Sequence, residues 1–320
     1  MASPSATRAA QRDILALLTL SLIWGSSFAL VKIAVADIPP LTLAAGRIAL
    51  GALLLLAVQA VAGPPLADLL RPPAIDRIGW GRWRQFFILG MLGNGIPFAL
   101  IGYGETRIGS GLAAILIGTM PLFTLLFAHL FAVEQGLSRR AWGGMALGFA
   151  GLVVLIGPAA FTDLRASTGL SVAAQIAIVL AGASYAATAV YGRVLSLAMP
   201  VSVVAAGSMT ASALVMVPLA LAIDRPWQLT PGADAVLAVA TLGLGATAFA
   251  SLVYFRLLRS AGPTFASLVN YLIPAFGFAL GVIRLGEPAS ARELAALALI
   301  LTAVGLVRAK PAVAQAPQTP

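Results

Sequence analysis

The chain has 320 residues, of which 60% are hydrophobic and only 10% are charged. Soluble globular proteins carry about 25% charged residues, so this composition excludes a soluble domain and indicates an integral membrane protein. The net charge of +9 would suggest a nucleic-acid partner in a soluble protein, but in a membrane protein it follows from topology. The absence of cysteine and the single histidine, His129, exclude disulfides and argue against a metal site. We therefore expect no cofactor, no metal and no nucleic-acid partner.

Apolar runs of about 20 residues, the length that crosses a bilayer, recur ten times along the chain. Prolines and glycines, among them Pro200 and Pro263, separate the runs. The first run lacks a convincing cleavage site, so it is predicted as an uncleaved helix and not as a signal peptide. The sequence thus predicts an all-α integral membrane protein. The predicted spans are 13–35, 41–62, 84–103, 110–131, 139–157, 171–191, 201–222, 233–255, 264–283 and 291–308.

The Lys and Arg residues predict the orientation of these spans. With the amino terminus in the cytoplasm, thirteen of these residues fall on the inner side and six on the outer side, while Arg47 lies within the second run. Both termini are therefore predicted in the cytoplasm, as an even number of spans requires. The terminal segments 1–12 and 309–320 are predicted as cytoplasmic tails, the first of them disordered, and 158–170 as an external linker.

The chain also repeats itself in two halves, 13–157 and 171–308. A proline and a glutamate occur with the same separation in both halves, as Pro121 and Glu134 and as Pro274 and Glu287. Because each half contains five spans, the second half enters the membrane in the opposite orientation. Inverted repeats are typical of transporters, with the substrate site near the midplane between the halves. Other matching pairs are Trp24 with Tyr185, Ser27 with Thr188, Lys32 with Arg193, and Pro40 with Pro200.

Two motifs and this architecture together resemble a known family. The first span contains Trp24-Gly25-Ser26-Ser27-Phe28, and the ninth ends in Gly286-Glu287. With ten helices in two five-helix repeats, the chain resembles the EamA-type carriers of the drug/metabolite transporter superfamily. It departs from the pattern at Val133, where the first half lacks the glycine before Glu134. Within the family it is most similar to bacterial exporters of aromatic amino acids. The resemblance implies an inner-membrane location and a central cavity lined by both halves.

A carrier of amphipathic metabolites needs apolar walls and a few polar groups that orient the substrate. Trp24 and Tyr185, as repeat mates, could stack on an aromatic substrate or attract an ammonium group. Pro274 deprives the carbonyl of Asn270 of its usual helical partner. Each candidate also has a purely structural interpretation, as helix packing or helix bonding. The predicted cavity residues are Trp24, Ser27, Asn94, Tyr185, Thr188, Tyr254, Asn270 and Tyr271, and the predicted hinges, which are alternatively static kinks, are Pro97, Pro121 and Pro274.

The charged residues lead to further expectations. Arg47 is expected to reach the outer surface, or else to offer a cation to a substrate carboxylate. Lys32 and Arg193 are expected to extend to the membrane surface. All eleven carboxylates lie in loops or at the ends of runs, where Glu105, Glu134 and Glu287 are expected to pair or cap. Without an acid in the membrane interior, the sequence predicts downhill movement of the substrate or a subtler form of coupling.

The predicted function is the export of small metabolites, most simply aromatic or neutral amino acids, by alternating access through a central cavity. The alternatives are a multidrug or lipophilic-cation exporter and a nucleotide-sugar or sugar-phosphate exchanger. No nucleophile–base pair or phosphate loop indicates an enzyme, so no catalytic residue is assigned. The expected partners are a small-molecule substrate and the lipid bilayer, and the choice between monomer and homodimer stays open.

Overall fold

The computed structural model describes residues 4–62, 81–131, 139–156, 170–195, 200–266 and 268–308, and within these ranges every regular element is a helix. Ten helical spans follow one another and confirm the predicted all-α membrane fold. They are α1 Pro4–Ala34, α2 Pro40–Ala62, α3 Arg82–Glu105, α4 Ser110–Leu130, α5 Arg139–Ile156, α6 Leu170–Leu195, α7 Val201–Ile223, α8 Ala233–Thr241 continued by Leu242–Phe249 and Ala250–Ala266, α9 Val269–Leu285, and α10 Ala291–Arg308.

The largest differences from the predicted span ends occur at the start of α1 and at the end of α8. α1 begins at Pro4, so most of the predicted amino-terminal tail is helical. α8 continues to Ala266 and includes Pro263, which the sequence placed between two spans. The predicted linker 158–170 lies outside the described residues except for Leu170, which begins α6. Seven of the described helices are long and apolar enough to cross a membrane on their own, whereas the apolar parts of α5 and α9 are shorter.

The most extensive helix contacts join the two halves of the chain. Corresponding helices pack on each other as α2 on α7, α4 on α9 and α5 on α10. Other extensive contacts come in pairs that the repeat relates. The contact of α3 with α6 corresponds to that of α8 with α1. The contact of α1 with α9 corresponds in the same way to that of α6 with α4. The two five-helix repeats are therefore interleaved around a pseudo-twofold axis, and each helix buries its inner face largely against the opposite repeat.

The largest hydrophobic cluster of the described residues includes side chains of α1, α4, α6, α8 and α10. Leu20, Ile115, Ile178, Leu242 and Ile300 contribute one fully buried side chain from each of these helices. In a bilayer the surrounding lipid is as apolar as these side chains, so close packing and not exclusion of water holds the helices together.

Two corresponding glycines bring helices of opposite repeats into direct backbone contact. A Cβ atom added to Gly90 of α3 would collide with the backbone oxygen of Ser208 in α7. A Cβ atom added to Gly243 of α8 would lie 2.7 Å from the Cβ of Leu50 and 3.1 Å from the backbone oxygen of Arg47 in α2. Gly90 and Gly243 have the same separation as Pro121 and Pro274. The close approach is thus part of the repeat.

We expect Gly90→Ala to destabilise the bundle because the added methyl group meets backbone that cannot move aside. Overpacking of this kind costs about 1–3 kcal/mol, measurable as the free energy of unfolding during detergent titration in micelles. Gly143→Ala is the matched control, since an added Cβ there has no atom within 4 Å, and alanine should be neutral or slightly stabilising in a helix. Equal stability of the two variants would contradict the close α3–α7 approach.

The predicted orientation can be tested with single cysteines, because the natural chain contains none. Trp227, 66% exposed between α7 and α8, is predicted outside, and Phe131, 69% exposed after α4, is predicted inside. In intact cells a membrane-impermeant maleimide should label Trp227→Cys at once and Phe131→Cys only after permeabilisation. The reverse pattern would place the amino terminus outside.

Candidate functional site between the two repeats

The first contact of the central interface joins α1 to α8. The indole Nε1 of Trp24 donates a hydrogen bond of 2.9 Å to the carbonyl oxygen of Ala246. That carbonyl belongs to the π-helical segment Leu242–Phe249 of α8, and the wider turn leaves it available to a side chain. The Trp24 ring also lies 5.5 Å from the ring of Tyr254, measured between centroids. Two of the predicted cavity residues are thus in contact.

A corresponding contact joins α6 to α3. The hydroxyl of Ser184 donates a hydrogen bond of 2.7 Å to the carbonyl oxygen of Leu92, which lies in the π-helical segment Met91–Gly95 of α3. Ser184 immediately precedes Tyr185, the repeat mate of Trp24. Short π-helical segments are rare in proteins, and those that do occur are often found at functional sites. In this bundle both mark the points where α1 and α6 bind the opposite repeat.

Arg47 is buried at the centre of this interface, with only 6% of its side chain exposed. Its Nε donates a hydrogen bond of 2.8 Å to the hydroxyl of Thr247, and its guanidinium carbon lies 3.7 Å from the centroid of the Phe98 ring. Tyr185 is within electrostatic reach. The expectation that Arg47 extends to the outer surface is therefore wrong, because the hydroxyl of Thr247 in α8 and the ring of Phe98 in α3 hold it inside the bundle.

Other predicted cavity residues have more local roles or no partner. The hydroxyl of Ser27 donates to the carbonyl of Trp24 at 2.6 Å, and that of Thr188 donates to the carbonyl of Ser184 at 3.1 Å, which are bonds within their own helices. Thr188 also packs against Gly93. Within the part of the chain that the structure describes, the carboxamides of Asn94 and Asn270 have no hydrogen-bond partner, so both remain candidates for binding a substrate.

The predicted hinges coincide with irregular helix geometry. Pro97 follows the π-helical segment of α3, and α4 is interrupted between Ile117 and Met120, directly before Pro121. Pro274 lies inside α9 and contacts the interruption of α4 at Gly118. The proline of α9 therefore lies against the interruption of α4. Motion at these points remains a prediction.

One end of the bundle is held by bonds from side chains to helix termini. The ammonium group of Lys32 donates to the carbonyl oxygens of Glu105, at 2.7 Å, and Ile108, at 2.8 Å. The carboxylate of Glu287 accepts from the backbone N–H groups of Ser110, at 2.7 Å, and Gly111, at 2.8 Å. Lys32 thus caps α3 instead of extending to the surface, whereas Glu287 caps α4 as expected. Glu134 and the side chain of Arg193 lie outside the described residues.

The expectation that Glu105 pairs or caps is wrong for its carboxylate. Glu105 lies at the end of its helix, yet none of its surface is exposed, and neither carboxylate oxygen has a hydrogen-bond partner among the described residues. Sequence position alone gave no sign of this, because the residues that cover Glu105 come from other helices. Arg47 did carry a signal, as a charged residue in the middle of an apolar run, but its partners Phe98 and Thr247 could not be found from the sequence.

Apolar spans, interleaved inverted repeats and a polar, aromatic interface between them define a membrane transporter of small molecules. The chain belongs to the EamA-like transporter family, whose model matches it twice, at residues 11–157 and 172–309.

Individual relatives agree with this assignment. The chain is 30% identical to the uncharacterized inner membrane transporter YedA of Escherichia coli over 296 residues, covering 91% of this chain and 89% of that one. It is 28% identical to protein PagO of Salmonella typhimurium, with 82% and 81% covered. A solved crystal structure with 22% identity superimposes with a TM-score of 0.62, covering 93% of this chain and 97% of the other, which shows the shared fold.

We expect Trp24→Phe to weaken the contact between α1 and α8, because phenylalanine keeps an aromatic ring but leaves the Ala246 carbonyl without its donor. An unsatisfied buried acceptor costs about 1–3 kcal/mol, which should appear as a lower free energy of unfolding in micelles. Trp227→Phe, in the exposed turn after α7, is the control and should leave stability unchanged. If both variants behave alike, the Trp24 hydrogen bond does not stabilise the bundle.

Proposed function

We propose that this protein exports small amino acids with aromatic or neutral side chains across the bacterial inner membrane. The observation that carries the proposal is the buried guanidinium of Arg47 among aromatic and hydroxyl groups where the two repeats meet. A cation in the interior of a membrane protein is costly and usually marks a substrate or ion pathway.

The charge of Arg47 lacks a bonded counter-charge. Its described hydrogen bond is made by Nε to a neutral hydroxyl, which leaves the two terminal nitrogens for a ligand. Glu105 is within electrostatic reach, but its carboxylate oxygens accept no hydrogen bond from Arg47 or any other described residue. A substrate carboxylate could accept two parallel hydrogen bonds from the terminal nitrogens, the geometry that guanidinium groups favour.

The groups around Arg47 suit the remainder of an amino acid. Tyr185 is within electrostatic reach of Arg47, and the Trp24–Tyr254 pair joins α1 to α8, the helix that also contains Thr247. Aromatic rings provide apolar contact for a neutral or aromatic side chain and attract a substrate ammonium group by about 0.5–2 kcal/mol. Asn94 and Asn270 would supply additional polar contacts to the substrate.

The alternative substrates fit this interface less well. A lipophilic cation would be repelled by Arg47 unless a buried acid bound it, and Glu105 is fully enclosed. A nucleotide sugar carries two phosphate charges, and Arg47 is the one buried basic side chain among the described residues. A single cation matches a single carboxylate.

The same architecture supports alternating access as the transport mechanism. We propose that the repeats 13–157 and 171–308 rearrange about Pro97, Pro121 and Pro274, with both termini in the cytoplasm. The inverted arrangement provides two related conformations that expose the central interface to opposite sides in turn.

The test is flux into proteoliposomes containing the full-length chain, with L-phenylalanine, L-threonine, tetraphenylphosphonium and a uridine diphosphate sugar as probes. We expect the amino acids to move and the other two to remain outside. Arg47→Gln should weaken the apparent affinity for L-phenylalanine at least about tenfold, since a hydrogen bond to a charged group is worth about 1.5–3 kcal/mol. Arg47→Lys keeps the charge but loses the planar fork, and we expect an intermediate loss.

The control for these variants is Arg107→Gln, in the exposed turn between α3 and α4, which should transport like the natural chain. Thermal unfolding midpoints of all three variants separate a loss of binding from a loss of folding. Movement of the organic cation or the nucleotide sugar, with none of either amino acid, would overturn the proposed substrate class.

A further inference from the structure

We propose that Glu105 is a proton-binding site that couples transport to proton movement, and that its carboxyl group carries a proton in the conformation described here. The proposal rests on the surroundings of Glu105 in every helix packed against it. It goes beyond the substrate assignment, and one arm of its test is independent of that assignment.

The carboxyl group of Glu105 is enclosed without a donor. None of its surface is exposed, and both oxygens lack a hydrogen-bond partner within the described residues. An ionised carboxylate in such a place loses its hydration and receives nothing in exchange, which is among the most costly arrangements in a protein. A neutral carboxylic acid avoids most of that cost.

Two cations lie within electrostatic reach of Glu105, but neither donates a hydrogen bond to its carboxylate. Lys32 of α1 donates to the backbone carbonyls of Glu105 and Ile108, and not to the carboxylate. Arg47 of α2 donates its Nε to Thr247. These cations stand close enough to stabilise an ionised Glu105 after a rearrangement, but in the described conformation neither is bonded to it.

The remaining neighbours favour the neutral acid. The carboxylate of Glu287, which follows α9, also acts on Glu105 electrostatically, and a second negative charge beside it would repel it. From α6, the apolar Ala174 and Ile178 pack against Gly104 and are fully buried.

The same end of the bundle contains the contacts that must break for water to enter. Lys32 ties α1 to the end of α3, and Glu287 ties α9 to the start of α4. Separation of these helices would admit water to Glu105, which could then transfer its proton to water and become a carboxylate. The released ammonium group of Lys32 would be close enough to pair with that carboxylate. Closing the bundle would require the proton to return.

Infrared spectroscopy of the lipid-reconstituted protein tests the protonation directly. At neutral pH we expect the carbonyl stretch of a protonated carboxylic acid, with a shift in heavy water, and we expect Glu105→Gln to lack it. Glu293→Gln is the control and should keep the band, because Glu293 accepts hydrogen bonds from Ser290. If the glutamine variant fails to fold, Glu105→Asp takes its place. This variant keeps a carboxyl group and should retain a band. A natural chain without the band, or a band that survives in Glu105→Gln, would overturn the proposal.

Flux of L-phenylalanine tests the coupling. The rate in the natural chain should depend on the direction of an imposed pH gradient, whereas Glu105→Gln should exchange labelled for unlabelled L-phenylalanine without any response to the gradient. An identical response of both proteins would overturn the coupling. If L-phenylalanine does not move at all in the natural chain, the proposed substrate is wrong, and the infrared result alone decides the role of Glu105.

Discussion

The close crossing of corresponding helices from opposite repeats is the constraint on which the rest of this structure depends. Gly90 lets the backbone of α3 touch that of α7, and Gly243 does the same for α8 and α2. At these crossings α3 and α8 widen into π-helical segments, whose carbonyl groups accept hydrogen bonds from Ser184 and Trp24. A membrane interior offers no water to unpaired backbone groups, so irregular backbone is tolerated only where other helices supply partners. The interface between the repeats therefore combines close backbone packing with hydrogen bonds from side chains to backbone carbonyls.

The charged groups of this interface are arranged with few direct pairs. Arg47 is bound by a hydroxyl and an aromatic ring, and Glu105 is enclosed without a donor. A bonded pair of these two residues would neutralise both charges and leave little reason for either to interact with a ligand. In the described conformation each keeps its capacity to bind something further. That arrangement supports the proposals of a carboxylate ligand for Arg47 and a proton for Glu105.

Capping bonds at one end of the bundle link helices of different repeats. Glu287 binds the start of α4, Asp224 binds the start of α2 through Thr42, and Asp37 accepts from Gly232 at the start of α8. In each case a carboxylate meets the positive end of a helix dipole. Such bonds are individually modest and exchange readily with water, so they can hold an end closed without making its opening prohibitive. The interleaving of the repeats means that any opening must break bonds between repeats.

The sequence by itself determined the membrane class, the ten spans, the repeat and the family, because each depends on the length and period of apolar runs or on short motifs. It also singled out Trp24 and Tyr254, whose rings contact each other between α1 and α8, and it expected Glu287 to pair or cap, which it does at the start of α4. Only the tertiary structure decided the positions of Arg47 and Glu105. Whether a charged side chain inside a span or at its end reaches water depends on which distant helices cover it. In this bundle Arg47 and Glu105 have neighbours from the opposite repeat as well as from their own. The local sequence around a residue does not indicate which helices cover it.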